Sequence, residues 1–174
     1  MAKYIRQREH PAITEYIMRI VDDSYNFLNS EPCKERFKSR APAQYWRHVK
    51  IFTRRGSGSS TAALNLIDKF PQSLIITHSI TAVQCLRDMV LNRNLIFSNN
   101  LQSDIFHNVS DYIVPHEYVD YRWFHNQKHY RLIILDSASM IEAARNNGYR
   151  GAIPGMDEFR ERLFLVCDLL VELG

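Results

Sequence analysis

Apolar residues recur along this chain with two different periods. From Ile13 to Leu28 the residues Ile13, Ile17, Ile20, Val21 and Leu28 fall at helical spacing, with Glu15, Arg19, Asp22 and Asp23 largely between them. That predicts an amphipathic helix docked on the rest of the chain, with Pro11 in its first turn. Asn29-Ser30-Glu31-Pro32 breaks it, and residues 33–44, with Pro42, read as a basic connector. Val49 to Thr53 is a short apolar run, interrupted by Lys50, that fits the first strand of a parallel sheet. Thr61 to Lys69 reads as a helix behind it, ended by Phe70-Pro71-Gln72-Ser73. Leu74 to Ser79 is a second buried strand, and Ile80 to Asn92 a second helix with Ile80, Val83, Leu86 and Val90 on one face. Strand, loop, helix, strand, helix is the order of an α/β fold built on a mainly parallel sheet with flanking helices.

The middle is less regular. Leu95–Ser98 and Tyr112–Val114 look like strands, with Asn99-Asn100 and Pro115-His116 as punctuation. Leu132-Ile133-Ile134-Leu135 is a second strong signal, a buried strand that delivers Asp136 at its C-terminal end. Asn146-Asn147-Gly148 reads as a turn and residues 151–155 as a loop. Met156 to Leu173 then predicts a closing amphipathic helix, with Phe159, Leu163, Val166, Leu170 and Leu173 on its apolar face. The expected organisation is one small domain over 1–174, with a helical and basic extension (1–44) and an α/β core (45–174).

The chemistry concentrates where the first strand meets its helix. Gly56-Ser57-Gly58-Ser59-Ser60-Thr61 places two glycines and four hydroxyls between an apolar run and a helix. Glycines let successive backbone N–H groups curl inward, and the helix brings its positive end to the same spot, so an anion is expected there. Ligands of open parallel sheets bind at the C-terminal ends of the strands. Asp136, about eighty residues later on another predicted strand, is therefore placed to hold magnesium beside the loop. An aspartate in that position also serves simply to cap a turn.

Composition narrows the class. A 45% hydrophobic content over 174 residues can bury one core and is not that of a disordered chain. No apolar run approaches the roughly 20 residues that cross a bilayer, and residues 1–8 lack the apolar centre of a secretory signal, so a soluble, cytoplasmic protein with no membrane partner is expected. Cys33, Cys85 and Cys167 are scattered, which fits thiols in a reducing compartment better than a disulfide or zinc framework. His107, His116, His125 and His129 follow no metal-site spacing. Net charge is +3, unevenly spread: residues 1–55 carry 12 Lys or Arg against 6 Asp or Glu. Lys34, Arg36, Lys38, Arg40, Arg47 and Lys50 run up to the loop with Phe37, Tyr45 and Trp46 among them. Such a stripe suits phosphate contacts and base stacking in a nucleic acid, and it equally suits a solvated surface.

Three segments taken together resemble the Walker A, motif Ia and Walker B sequences of P-loop ATPases of the helicase and viral DNA-packaging terminase type. They are Arg54 to Thr61, Leu74 to Val83, and Leu132 to Ala138, and the likeness covers residues 44–142. It implies a P-loop NTPase-like fold and binding of ATP and magnesium, coupled to work on nucleic acid. By that resemblance Arg54, Arg55, Gly56, Ser57, Gly58, Ser59, Ser60 and Thr61 hold the nucleotide, Ser60 or Thr61 with Asp136 holds the metal, and Asp136 with Glu142 forms the catalytic set. The motifs are degenerate. Ser59 stands where the family has lysine, which leaves Arg54 or Arg55 to supply positive charge, and Ser137 follows Asp136 where the family has glutamate, which leaves Glu142 as a substitute. Gln44 corresponds in type to an adenine-reading glutamine but lies only fourteen residues before Gly58. A neighbouring subunit or protein partner would complete such a site, with Arg122, Arg145 or Arg150 as candidate arginine fingers. The resulting expectation is a degenerate ATPase-like protein that binds ATP and magnesium weakly or with partner help. The alternatives are a catalytically inactive P-loop-fold module that docks on a protein partner, and an unrelated phosphate-binding enzyme.

Overall fold

The computed structural model describes residues 11–36, 44–54, 57–91, 99–125, 127–148 and 155–174. Helix α1 (Pro11–Asn29) is followed at once by α2 (Glu31–Arg36). Pro32 therefore sits in a first helical turn, where its missing N–H costs nothing, and residues 31–36 are helix where a break and the start of the 33–44 connector are expected. After a 3-10 turn over Gln44–Arg47 come strand β1 (His48–Ile51), helix α3 (Ser59–Lys69), strand β2 (Leu74–Thr77) and helix α4 (Ile80–Leu91), in the predicted order. Helix α5 (Asn99–His107) begins on the asparagine pair read as punctuation, and the strand expected over Leu95–Ser98 lies outside the described residues. Strand β3 (Ile113–Pro115), a short helix α6 (Tyr121–His125), strand β4 (Tyr130–Asp136) and helix α7 (Ala138–Gly148) follow, so Asn146-Asn147-Gly148 is the last turn of a helix.

The C-terminal segment departs most from expectation. Helix α8 (Met156–Val166) stops halfway, and Cys167–Leu173 is a strand, β5. Leu169, Leu170 and Val171 are consecutive and fully buried, which an amphipathic helix with one apolar stripe cannot achieve and a strand covered on both faces requires. The helical spacing of Leu170 and Leu173 is coincidental, because these residues pack into layers on opposite sides of the sheet. Arg47 marks the junction. Its guanidinium donates to the carbonyl of Phe164 (2.8 Å), in the last turn of α8 where the helix leaves it without a partner, and to those of Cys167 and Asp168 (3.0 Å), the first residues of β5.

All five strands pair in parallel in the order β1-β5-β4-β2-β3. The last strand of the chain thus lies between the strand that leads to the glycine loop and the strand that carries Asp136. On one face Val49, Ile75, Leu132, Ile134, Val171 and Leu173 meet α1, α3, α4 and α5. On the other, Ile76, Ile133, Leu135 and Leu170 meet α7 and α8. Two apolar layers against one sheet make a single small α/β domain, consistent with a P-loop NTPase-like fold. Ile17 and Val21 of α1 are fully buried in the first layer, so this helix is a core element rather than an extension. Among the described residues no helix is long and apolar enough to cross a membrane.

Candidate functional site

The sheet brings the loop and Asp136 to one level. Leu173 of β5 is the register partner of Ile51 on one side and of Asp136 on the other, so the strand leading into the loop and the strand-end carboxylate stand two strand spacings apart, roughly 10 Å. The loop closes part of that gap. Gly58 caps α3 with a left-handed backbone (φ 93°), and a Cβ there would meet Thr14 Oγ1 of α1 at 2.9 Å. Both the conformation and the close approach of α1 call for glycine. Gly58 brings no side chain to the first turn of α3, while its own carbonyl accepts from Ala62 N at 2.9 Å.

That first turn reaches Asp136. Asp136 shares the face of Leu132 and Ile134, toward α3, and Ser60 Oγ donates to its Oδ2 at 2.9 Å. The carboxylate is only 4% exposed, and its Oδ1 is buried without a partner. Burial pushes the carboxyl above the ordinary aspartate range, while the Ser60 hydroxyl, the nearby His78 and the Ser137 N–H pull it partly back. Two hydroxyls of the loop region, Thr53 Oγ1 and Ser57 Oγ, are likewise buried and unbonded. Leaving such groups without partners typically costs about 1–3 kcal/mol each, and native proteins keep few of them. A hydroxyl and a carboxylate with one free oxygen are hard oxygen donors of the kind magnesium takes, with waters and phosphate oxygens filling the remaining positions. Among the described residues no three His, Cys, Asp or Glu gather as a metal cluster.

Other expected site residues fall elsewhere. Arg54 is exposed beside the loop, where its carbonyl accepts from Ser57 N at 3.1 Å, and Arg55 and Gly56 lie outside the described residues. Ser59 and Thr61 flank Ser60 in the first turn of α3, with Thr61 buried. Glu142 is not beside Asp136. It accepts from Arg160 of α8 at 3.1 Å, and Arg160 also binds Glu172, whose neighbour on β5, Leu173, packs on the Asp136 face while Glu172 turns to the other. Arg145 is 3% exposed, donates to the His116 and Val119 carbonyls at 2.6 and 3.1 Å, and stacks 3.5 Å from the centre of the Phe159 ring. Burial lowers its pKa to about 10, and it is a fixed structural cation rather than an arginine finger. Arg122 is exposed on α6, and Arg150 lies outside the described residues.

The basic stripe divides in the same way. Lys34 and Arg36 are exposed on α2, with Lys34 3.4 Å from Glu31, while Lys38 and Arg40 lie outside the described residues. Arg47 holds the α8–β5 junction, and Lys50 lies 3.5 Å from the buried carboxylate of Glu172. Gln44 opens the 3-10 turn before β1.

One residue at the site lies within the Leu74–Val83 segment that resembles motif Ia but is given no role by that resemblance. His78 directly follows β2, its Nδ1 is buried without a partner, and its charge acts on Asp136. The signal available in the sequence is its position in that segment, just past a buried parallel strand. Comparison of the chain with known protein families, with curated proteins and with solved structures yields no match.

Proposed function

We propose that this protein binds a nucleoside triphosphate with magnesium in the loop between β1 and α3. The observation that carries this reading is the 2.9 Å contact between Ser60 and Asp136. It joins the first turn of a glycine-capped helix to a buried carboxylate at the C-terminal end of a parallel strand, as phosphate and metal binding require. In this account the backbone around Gly58 cradles phosphate, Ser60 and Asp136 hold the metal directly or through water, and exposed Arg54 adds positive charge at the loop. Bound there, magnesium would neutralise phosphate oxygens beside the buried carboxylate of Asp136.

Hydrolysis is slow or absent in this reading. Ser137 offers no carboxylate next to Asp136, and Glu142 is engaged by Arg160 on the other side of the sheet. Among the described residues of the basic stripe and the loop, Lys34, Arg36 and Arg54 are exposed cations through which a nucleic acid or an acidic protein surface would be approached.

Calorimetric titration with a non-hydrolysable ATP analogue tests the assignment. Magnesium-dependent binding is expected, weakened about tenfold or more in Ser60→Ala, which loses a metal-binding hydroxyl. Absence of heat at millimolar ligand, together with absence of thermal stabilisation, would sink the proposal and leave the loop as a structural turn in a protein-binding module.

A further inference from the structure

We propose that His78 reads the outermost phosphate of the bound nucleotide and so sets the preference for a triphosphate over a diphosphate. This inference rests on the nucleotide-binding reading above.

Its basis is the row of residues along the C-terminal edge of the sheet. Thr77 ends β2 as the register partner of Asp136 on one side and of Pro115 on the other. The first residues beyond the three neighbouring strands are therefore Ser137, His78 and His116. A phosphate chain cradled at the N-terminus of α3 and continuing past the Ser60–Asp136 contact leaves β4 on one of two sides. Toward β5 it meets Leu173, which is fully buried and apolar, and then Gly174, which carries no side chain. Toward β2, one strand spacing away (about 4.8 Å), it meets Thr77, whose hydroxyl is turned to the Ser79 carbonyl, and then His78 just beyond it. That distance is on the scale of one further phosphoryl group.

The turn that carries His78 is pinned on both sides of it. Thr77 Oγ1 donates to the Ser79 carbonyl at 3.0 Å, and Ser79 Oγ accepts from Ala82 N at 3.2 Å. Both flanking hydroxyls are thus engaged in local structure, whereas His78 Nδ1 is buried and unbonded. The ring as a whole is partly exposed, so a ligand has access to it.

The groups around it fit the assignment. Asp136 is the carboxylate on the β4 side, and on the β3 side stand His116 and Glu117, with Arg145 of α7 behind them. His116 cannot take the same role. It is 1% exposed, and its Nε2 faces Glu117 Oε1 at 4.0 Å. His78 is then the described side chain beyond Asp136 that can give an N–H to a phosphate oxygen, at a site where Ser59 supplies no charge.

The test compares the magnesium complexes of a non-hydrolysable ATP analogue and of ADP, titrated calorimetrically into the parent protein, His78→Ala and His78→Gln. The parent is expected to favour the triphosphate analogue. His78→Ala should bind the analogue about tenfold to a hundredfold more weakly, the scale of one charge-assisted hydrogen bond, and ADP within about twofold of the parent. His78→Gln, which keeps an N–H donor, should recover part of the difference. Unchanged ADP binding also reports that each variant is folded, and if His78→Ala fails to fold, His78→Gln against the parent decides. Equal losses for both nucleotides, or no loss for either, overturn the role of His78 while leaving the nucleotide site intact. A parent protein that binds neither nucleotide overturns the site and this inference together.

Discussion

Asp136 is held where its charge is a liability in the absence of a cation. Its carboxyl is 4% exposed, burial raises its pKa from 3.8, and only Oδ2 has a side-chain donor. The sign follows from linkage. A carboxyl whose folded pKa is raised favours the folded state while it is protonated, and that contribution is lost as the pH rises through the folded pKa. At neutral pH the ionised group therefore opposes folding. Asp136→Asn keeps an acceptor for Ser60 and removes the charge, so it should stabilise the free protein by about 1 kcal/mol, or roughly 2–4 °C in Tm. The same substitution should abolish magnesium-dependent nucleotide binding. Thermal unfolding with and without the magnesium–analogue complex reads both effects. A variant less stable than the parent would mean that the ionised carboxylate serves the fold rather than a ligand.

Among the elements, β5 decides whether there is a site at all, since it spaces the loop strand from the Asp136 strand. It was also the element least legible in the sequence. The β1–loop–α3–β2–α4 series and the strand ending at Asp136 could be read because their apolar runs are bounded by glycine, proline or polar turns. The α8–β5 junction has no such punctuation: helix passes to strand between Val166 and Cys167, and the apolar residues keep a helical spacing across it. The stop signal is tertiary. It comes from Arg47, more than a hundred residues earlier, which takes the carbonyls of Phe164, Cys167 and Asp168. The same fact corrects the reading of the basic stripe, because charge counted along a sequence does not distinguish a solvated cation from one satisfying a helix end. Arg47→Ala should cost about 1–3 kcal/mol of stability in urea unfolding, the range for carbonyls left short of donors, and should leave nucleic-acid affinity unchanged. Loss of nucleic-acid binding at unchanged stability would return Arg47 to the surface role.

For the molecule as a whole, the two carboxylates buried at the ends of adjacent strands set opposing responses to acid. Asp136 faces α3 from β4, while Glu172, 1% exposed on β5, turns to the opposite side. There Arg160 Nε donates to Glu172 Oε1 at 2.6 Å and Lys50 Nζ lies 3.5 Å from Oε2. His48 Nε2 stands 3.0 Å from Oε1, within charge-pairing distance but bent away from hydrogen-bond geometry. Burial alone would raise the Glu172 pKa, but the surrounding His48 and Arg160 outweigh it and hold the carboxyl near 2 against an ordinary 4.5. A depressed carboxyl contributes stability that is fully present above pH 4.5 and is lost as the pH falls toward about 2. Because this cluster ties edge strand β1 to β5, α7 and α8, its protonation should loosen the sheet on the α7–α8 side. Protonation of Asp136, whose pKa burial raises, acts in the other direction, on the α3 side. Glu172→Gln is therefore expected to cost about 3 kcal/mol at pH 7, where it removes the buried charge that Arg160, His48 and Lys50 surround, and much less near pH 3. Urea unfolding of the parent and the variant at the two pH values measures the difference. A cost that does not shrink in acid would show that Glu172 stabilises the sheet by packing rather than by charge.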